Sequence, residues 1–502
     1  MKGVLVRNIS LSLVITITSS VLSFLINKYF ILNLGIENLG LMRLFTQSIF
    51  FLALLDMGLS TAATVAFYKP LMDDDKLKIS SLYYTVKKFY EKISIIVLVL
   101  GLILTPLISM LIGEVKTIYP YIYWLLFILV LSMNYHLMKF SILFLADQKY
   151  AFVTVVSGGS LILEKALQLF VIIYFQSFVI FILVGILGFL LRYLFYRYHY
   201  ESNYFKMKDV GVYDKSIQQG ATKMIFHKLS NMIVYNTDYI IIVKFIGLST
   251  VGIYSSYLML TSLVMTVISI LHNVLDPIVG KLVAKESDAF NLDLWFVFFR
   301  VCFFIGCVVG LVFYKVATPF VVLWLGDDFV LLGVAVSLIA INLFFDIVKW
   351  PMEIFKYKYA FYNDIHLPII EVIINLTISI ILVQYLGIAG VIIGTIVSNV
   401  IVVVFLKTFL VFKRCFKVGI YVYILELVKN TFFLILSGIT TLYLFDVILV
   451  DVTNMTRSWW GLISYIAQVI AVVLISVSLV FSLRSKFRES SMKFVKFITQ
   501  RG

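Results

Sequence analysis

Ionisable side chains set deep in apolar sequence are where chemistry is to be sought, because each costs about 3 kcal/mol on insertion scales unless it is paired or wet. In this 502-residue chain the deepest are Asp56, Glu164, Lys165, Asp238 and Asp346. Lys349 stands one turn beyond Asp346, and Glu371 heads a polar stripe with Asn375 and Ser379. Lys28 and Arg43 lie toward one end of the first pair of apolar runs, and Arg300 toward one end of a later run. Carboxylates at depth can bind a proton or sodium ion differently in two conformations, which is what coupling to an ion gradient requires. Asp56, Glu164, Asp238, Asp346 and Glu371 are the candidates for that role. Structural readings compete with it. Asp346, Lys349, Glu353 and Lys356, at steps of three and four, can form a ladder along their own helix. Glu164 can neutralise Lys165, Lys28 and Arg300 can snorkel to a nearby interface, and Asp56 beside Gly58 can serve helix packing or a hinge.

The elements that must position these groups are long apolar helices, and their organisation shows in a repeated hairpin. Residues 8–68 read as two helices meeting at Leu34-Gly35-Ile36-Glu37-Asn38-Leu39-Gly40. From 218 to 285 a second pair meets at Ile246-Gly247-Leu248-Ser249-Thr250-Val251-Gly252, with the same apolar-Gly-x4-Gly spacing. So long a period points to two copies of a whole bundle, the internal symmetry of many transporters. Each copy opens with a polar stripe: Asn8, Ser12, Thr16, Ser19, Ser23 and Asn27 in the first, Lys223, His227, Asn231, Tyr235 and Asp238 in the second. Steps of three and four put each stripe on one helix face. Such a face must meet protein or water, either as small residues packing helix on helix or as the wall of a shared cavity.

At 62% hydrophobic residues, 14% charged and a mean hydropathy of +1.04, the chain is a polytopic membrane protein. Breaks at charge clusters and Gly, Pro or Asn turns give about fourteen spans: 8–34, 40–68, 89–112, 119–146, 151–175, 178–198, 218–246, 251–283, 292–314, 329–357, 365–386, 389–412, 420–445 and 459–484. The predicted fold is therefore all-α and integral to the membrane. It divides into two pseudo-symmetric six-helix lobes, 1–198 and 218–414, a cytoplasmic linker at 199–217, two further helices in 415–484 and a basic tail at 485–502. Lys and Arg concentrate in alternate loops, such as Lys69 to Lys92 and Lys206 to Lys215, whereas the turns at 35–40, 247–252 and 386–390 have none. By the positive-inside rule both termini are cytoplasmic. The formal charge of +14 follows from that pattern and calls for no nucleic acid. Usage rich in Lys, Ile and Phe points to an AT-rich bacterial genome and a bacterial cell membrane.

Three cysteines, Cys302, Cys307 and Cys415, form no disulfide framework or metal site. The chain shows no nucleotide-binding Gly loop and no nucleophile constellation, so neither ATP hydrolysis nor a cofactor is expected. The energy source left open is a proton or sodium gradient. No outer loop exceeds roughly fifteen residues, which excludes an extracytoplasmic catalytic domain and argues against the alternative of a membrane polysaccharide polymerase or ligase.

Several segments together resemble the Wzx-type polysaccharide-biosynthesis flippases, within the wider multidrug/oligosaccharidyl-lipid/polysaccharide exporter superfamily. They are Lys28-Tyr29-Phe30, the Leu34-Gly35…Gly40 turn, Leu54-Leu55-Asp56-Met57-Gly58-Leu59-Ser60, the stretch from Lys76 to Tyr90, and the Leu386-Gly387-Ile388-Ala389-Gly390 turn. The resemblance implies a MATE-like arrangement of two lobes facing each other across a central cavity. It also implies transfer of an undecaprenyl-pyrophosphate-linked sugar unit between leaflets, with a polysaccharide polymerase as a partner. A pyrophosphate crossing the midplane needs cations that hold without trapping it; Lys28, Lys165, Arg300 and Lys349 are the candidates. The alternative within the superfamily is a MATE-type drug or cation antiporter, which expects about twelve helices and a cavity dominated by carboxylates. A lipid II flippase is a third reading, set back by the lack of an arginine cluster in the first helix.

Overall fold

The computed structural model describes residues 2–52, 59–112, 119–204, 236–359, 366–448 and 458–501. Asp56, with Lys223, His227, Asn231 and Tyr235 of the second stripe, lies outside them. The described chain is helical throughout and falls into two compact units, Met1–Gly252 and Ile253–Gly502.

The first unit begins with α1 (Lys2–Leu34) and α2 (Ile36–Leu52). Gly35 sits between them at φ +86°, a left-handed backbone that a side chain would strain, so the tight turn requires glycine there. After α3 (Leu59–Met72), α4 (Lys76–Ile103) starts on Asp75, whose carboxylate accepts from the Lys78 backbone N–H (3.0 Å). It bends by 43° into α5 (Thr105–Ile112). Next come α6 (Tyr119–Ala146), α7 (Tyr150–Tyr174), α8 (Phe178–Asn203) and a helix, α9, at 236–245. Helix α7 packs between α1 and α8, and α6 packs on α4 and α8. One end is pinned by Phe30 against Phe178 and Phe181 (5.1 and 5.4 Å between ring centres) and by Asn33 donating to the Ile172 carbonyl (3.1 Å). Midway, the Trp124 indole N–H donates to the Gly101 carbonyl (3.0 Å).

In the second unit α10 (Leu248–Lys285, entering from the first) leads to α11 (Asp288–Leu325). At 38 residues α11 is about 57 Å long, more than a ~30 Å hydrocarbon core needs. Helix α12 (Gly333–Val348) breaks at Lys349 into α13 (Trp350–Lys358), where Pro351 in the first turn cannot donate back to the preceding helix. Helices α14 (His366–Leu386) and α15 (Ile388–Phe416) form a close hairpin about Gly387 (φ +57°). The later part of α15 contains π-helical stretches at 399–407 and 412–416. The remaining helices are α16 (Tyr421–Ile448), α17 (Trp459–Ser482) and α18 (Ser485–Arg501). Both α16 and α17 pack on α11, through a core that includes Cys307, Phe445, Tyr465, Val473 and Phe481. The tail helix α18 runs back along α11, with Phe487 on Phe304 (5.3 Å) and Phe494 on Phe298 (5.6 Å).

Among the described residues eleven helices are long and apolar enough to cross a membrane, or twelve when the bent α4–α5 pair counts as one span. The other two predicted spans, 40–68 and 218–246, run through 53–58 and 205–235, outside the described residues. The count of about fourteen agrees with this. The expected linker at 199–217 is described only as far as Tyr204, its first residues forming the last turn of α8.

Candidate functional site

The Ser19 to Ser23 part of the polar stripe of α1 faces α7. Ser19 Oγ donates to the Thr16 carbonyl (3.0 Å) and Ser23 Oγ to the Ser19 carbonyl (2.8 Å), the local bonding that lets hydroxyls sit in an apolar helix. Into this face comes Lys165 from α7, half-buried, its ammonium donating to the Ser19 carbonyl (3.0 Å) and to Ser23 Oγ. One turn along α1, Asn27 is buried and its Oδ1 accepts from Arg43 Nη2 of α2 (3.1 Å). Arg43 Nε is buried and has no hydrogen-bond partner among the described residues, as is Gln47 Oε1 one turn on. Glu164 and Arg43 both lie within electrostatic reach of Lys165, Glu164 acting the more strongly.

Glu164 does not join this face. Its carboxylate turns to Arg192 of α8 (3.4 Å), which also donates from Nε to the Gly188 carbonyl (3.0 Å). Gly188 makes the room: a β-carbon there would lie 2.9 Å from the Glu164 carboxyl carbon. With Glu164 spent on Arg192, neither Lys165 nor Arg43 has an ion-pair partner among the described residues. Lys28, half-buried one residue beyond Asn27, likewise shows no ion pair among the described residues. Asp238 is buried in α9 beside Tyr239, and Tyr239 lies within electrostatic reach of Arg43.

In the second unit the predicted residues are each held by an opposite charge. Asp346 accepts from Lys349 on its own helix (2.6 Å), the local ladder anticipated for that stretch. Glu371 accepts from Lys407 (2.7 Å), both buried, with Lys407 at the end of the π-helical stretch 399–407. The rest of the Glu371 stripe is the seam between α14 and α15: Asn375 donates to Thr395 Oγ1 (3.0 Å) and Ser379 to the Val391 carbonyl (3.2 Å). Arg300, expected near the cytoplasmic mouth, is 8% exposed and donates to Glu426 (2.6 Å) and Ser490 (2.8 Å). Arg484 shares Glu426 (2.5 Å) and donates to Asn430 (2.5 Å). This buried cluster ties α16 and α18 to α11. Outside the spans Lys493 of α18 continues it, with hydrogen bonds to Glu489 and Asp293 (2.9 Å each) that raise its pKa above the ordinary lysine value.

Sequence reasoning noticed the depth of Arg43 but gave it no role, and passed over Arg192, Lys407, Glu426 and Arg484. Gly185, Gly188 and Arg192 at steps of three and four were the available signal for the Glu164 partner. The other pairings join helices far apart in sequence and leave no local trace.

No protein-family model matches the chain, and a search of curated proteins finds no match. Solved structures do match. The lipid II flippase MurJ in an inward closed conformation superposes with a TM-score of 0.66 at 17% identity, over 94% of this chain and 99% of that one. A multidrug resistance MATE family transporter of the MOP superfamily, in its inward-facing conformation, gives 0.59 at 16% identity, over 77% of this chain and 92% of that one. A point mutant of the Vibrio cholerae MATE transporter VcmN gives 0.51 at 17%, over 82% and 99%. This chain has the fold of those transporters. At such identities the likeness is one of fold, and the MATE-like architecture expected from the sequence is the one found.

Proposed function

We propose that the protein is a flippase that carries a lipid-linked, pyrophosphate-bearing glycan from the cytoplasmic to the outer leaflet of a bacterial cell membrane by alternating access. The observation that carries this reading is the pair Arg43 and Lys165, two cations at depth with no carboxylate partner among the described residues. A fixed cation pair in a low-dielectric setting suits a diphosphate, which can take charge-assisted bonds from both at once. Lys28 belongs to the same set. Arg300 and Lys349, held by Glu426 and Asp346, are read as structural.

The antiporter reading needs acidic groups able to hold a cation. Glu164, Asp346 and Glu371 each already sit against a basic side chain, which disfavours it. Asp238, buried in α9, and Asp56 are the carboxylates proposed for coupling to a proton or sodium gradient. The match to the lipid II flippase over nearly the whole chain, against about three quarters for the MATE transporter, supports a lipid-linked substrate. The proposed glycan is a capsule, O-antigen or exopolysaccharide repeat unit, passed on to a polymerase, with lobes 1–198 and 218–414 moving about the substrate and both termini cytoplasmic. In cells lacking the native protein, Arg43→Gln and Lys165→Gln variants are expected to insert normally and fail to restore polymer export. Full export by both would refute the assignment.

A further inference from the structure

The two glycine turns that reveal the repeat also touch each other. In the first copy Gly35 takes the turn (φ +86°), Ile36 opens the next helix and Gly40 follows one turn later. In the second, Gly247 (φ +134°), Leu248 and Gly252 hold the equivalent places. A β-carbon on Gly40 would lie 2.8 Å from the Leu248 carbonyl carbon, and one on Gly252 would lie 2.9 Å from the Ile36 carbonyl oxygen. Gly40 therefore rests on the backbone of Leu248, and Gly252 on the side chain and carbonyl of Ile36. This is a reciprocal contact of the kind that two-fold symmetry produces, made by the small-residue spacing that lets helices approach backbone to backbone. Leu39 and Val251, again equivalent, are both fully buried beside it. Lys244, just before the second turn, donates to the Met110 carbonyl at the end of α5 (3.2 Å).

The contact lies next to the charged site. Arg43 is three residues beyond Gly40, and Tyr239, within its electrostatic reach, is on the helix that leads into the second turn. A contact of glycine against backbone and one aliphatic side chain holds closely and involves no charged group of its own, so it can part without leaving charges unpaired. We propose that the paired glycine turns are a gate: their contact closes the Arg43–Lys165 site at the end of the protein where the turns lie, and their separation is the step that opens it there. This deepens the flippase reading and rests on it for the site's ligand. The gating geometry itself involves only Gly40, Gly252, Ile36 and Leu248.

Any side chain at Gly40 or Gly252 must push the turns apart. The test uses Asn27→Cys, in a background where Cys302, Cys307 and Cys415 are serine, as a reporter behind the gate in whole cells. A membrane-impermeant thiol reagent should label it slowly when both glycines are present. With Gly40→Val or Gly252→Val, labelling should quicken about tenfold or more, as expected when a dominant closed state becomes a minor one. Gly159→Val, where a β-carbon meets nothing within 4 Å, should leave the rate unchanged and controls for insertion. A second measurement needs a folded gate: Ile36→Cys with Leu248→Cys, joined by a short cleavable bifunctional thiol reagent, should stop export until the linker is cleaved. Unchanged labelling in both valine variants, or full export by the cross-linked protein, would overturn the gate. Normal export by the Arg43 and Lys165 variants with accelerated labelling would uphold the gate and refute only the ligand.

Discussion

Glu371 and Lys407 allow a quantitative separation of structural from functional charge. Their side chains are 7% and 10% exposed and 2.7 Å apart. Lys407→Met keeps the side-chain volume but leaves a buried carboxylate alone, a change that costs about 3–5 kcal/mol. For a unit the size of residues 253–502, each kcal/mol moves the melting temperature by about 2–4 °C. Lys407→Met should then melt about 6–20 °C lower, and Glu371→Leu comparably, because it strands the ammonium. The double variant Glu371→Leu/Lys407→Met replaces the pair with apolar groups of similar bulk and should regain most of the loss, since a buried pair is worth little against such a replacement. Intrinsic fluorescence during thermal unfolding of the purified protein in detergent reads all four corners of the cycle. Single variants melting with the parent protein would refute the reasoning. Loss of export in the double variant at an unchanged melting temperature would return Glu371 to the ion-coupling role its sequence position suggested.

Two further outcomes follow from the same geometry. Gly188→Ala drives a methyl into the Glu164 carboxylate and should destabilise by about 1–3 kcal/mol through overpacking and loss of the Arg192 pair, read as a lower melting temperature. A wild-type value would mean that Glu164 has another place to go. Glu426→Ala leaves Arg300 and Arg484 buried without their shared carboxylate, so α18 should loosen from α11 and trypsin should cut at Lys486 or Arg488 far sooner. An unchanged digestion rate would show that Phe487 and Phe494 alone hold the tail.

The fold was legible because its signals are local. Apolar runs and charged breaks mark the spans, and a glycine at positive φ marks the turns at Gly35, Gly247 and Gly387. The polar stripe of α1 was also legible, since helical periodicity alone puts Ser19 and Ser23 on one face, and Lys165 proves to be its partner. For the Glu371 stripe the same periodicity was ambiguous between a cavity wall and a packing seam, and Asn375 and Ser379 lie in a seam. What could not be read was which charges cancel. Arg300 meets Glu426 across 126 residues and Glu164 prefers Arg192 to the adjacent Lys165, choices made by helix packing and by the space Gly188 leaves. The importance of Arg43 emerges only by subtraction, once the neighbouring carboxylate is seen to be engaged elsewhere.

The central claim is that Arg43 and Lys165 hold the phosphate-bearing head group of a lipid-linked glycan during its passage. The most direct measurement is the leaflet distribution of undecaprenyl-linked intermediates in cells that carry Arg43→Gln/Lys165→Gln as their only copy, read by a membrane-impermeant sugar-modifying probe and mass analysis. The account predicts that the intermediates accumulate and stay shielded from the probe, on the cytoplasmic side, and their mass would name the glycan. Intermediates exposed to the probe at the level of the unmodified protein would contradict it.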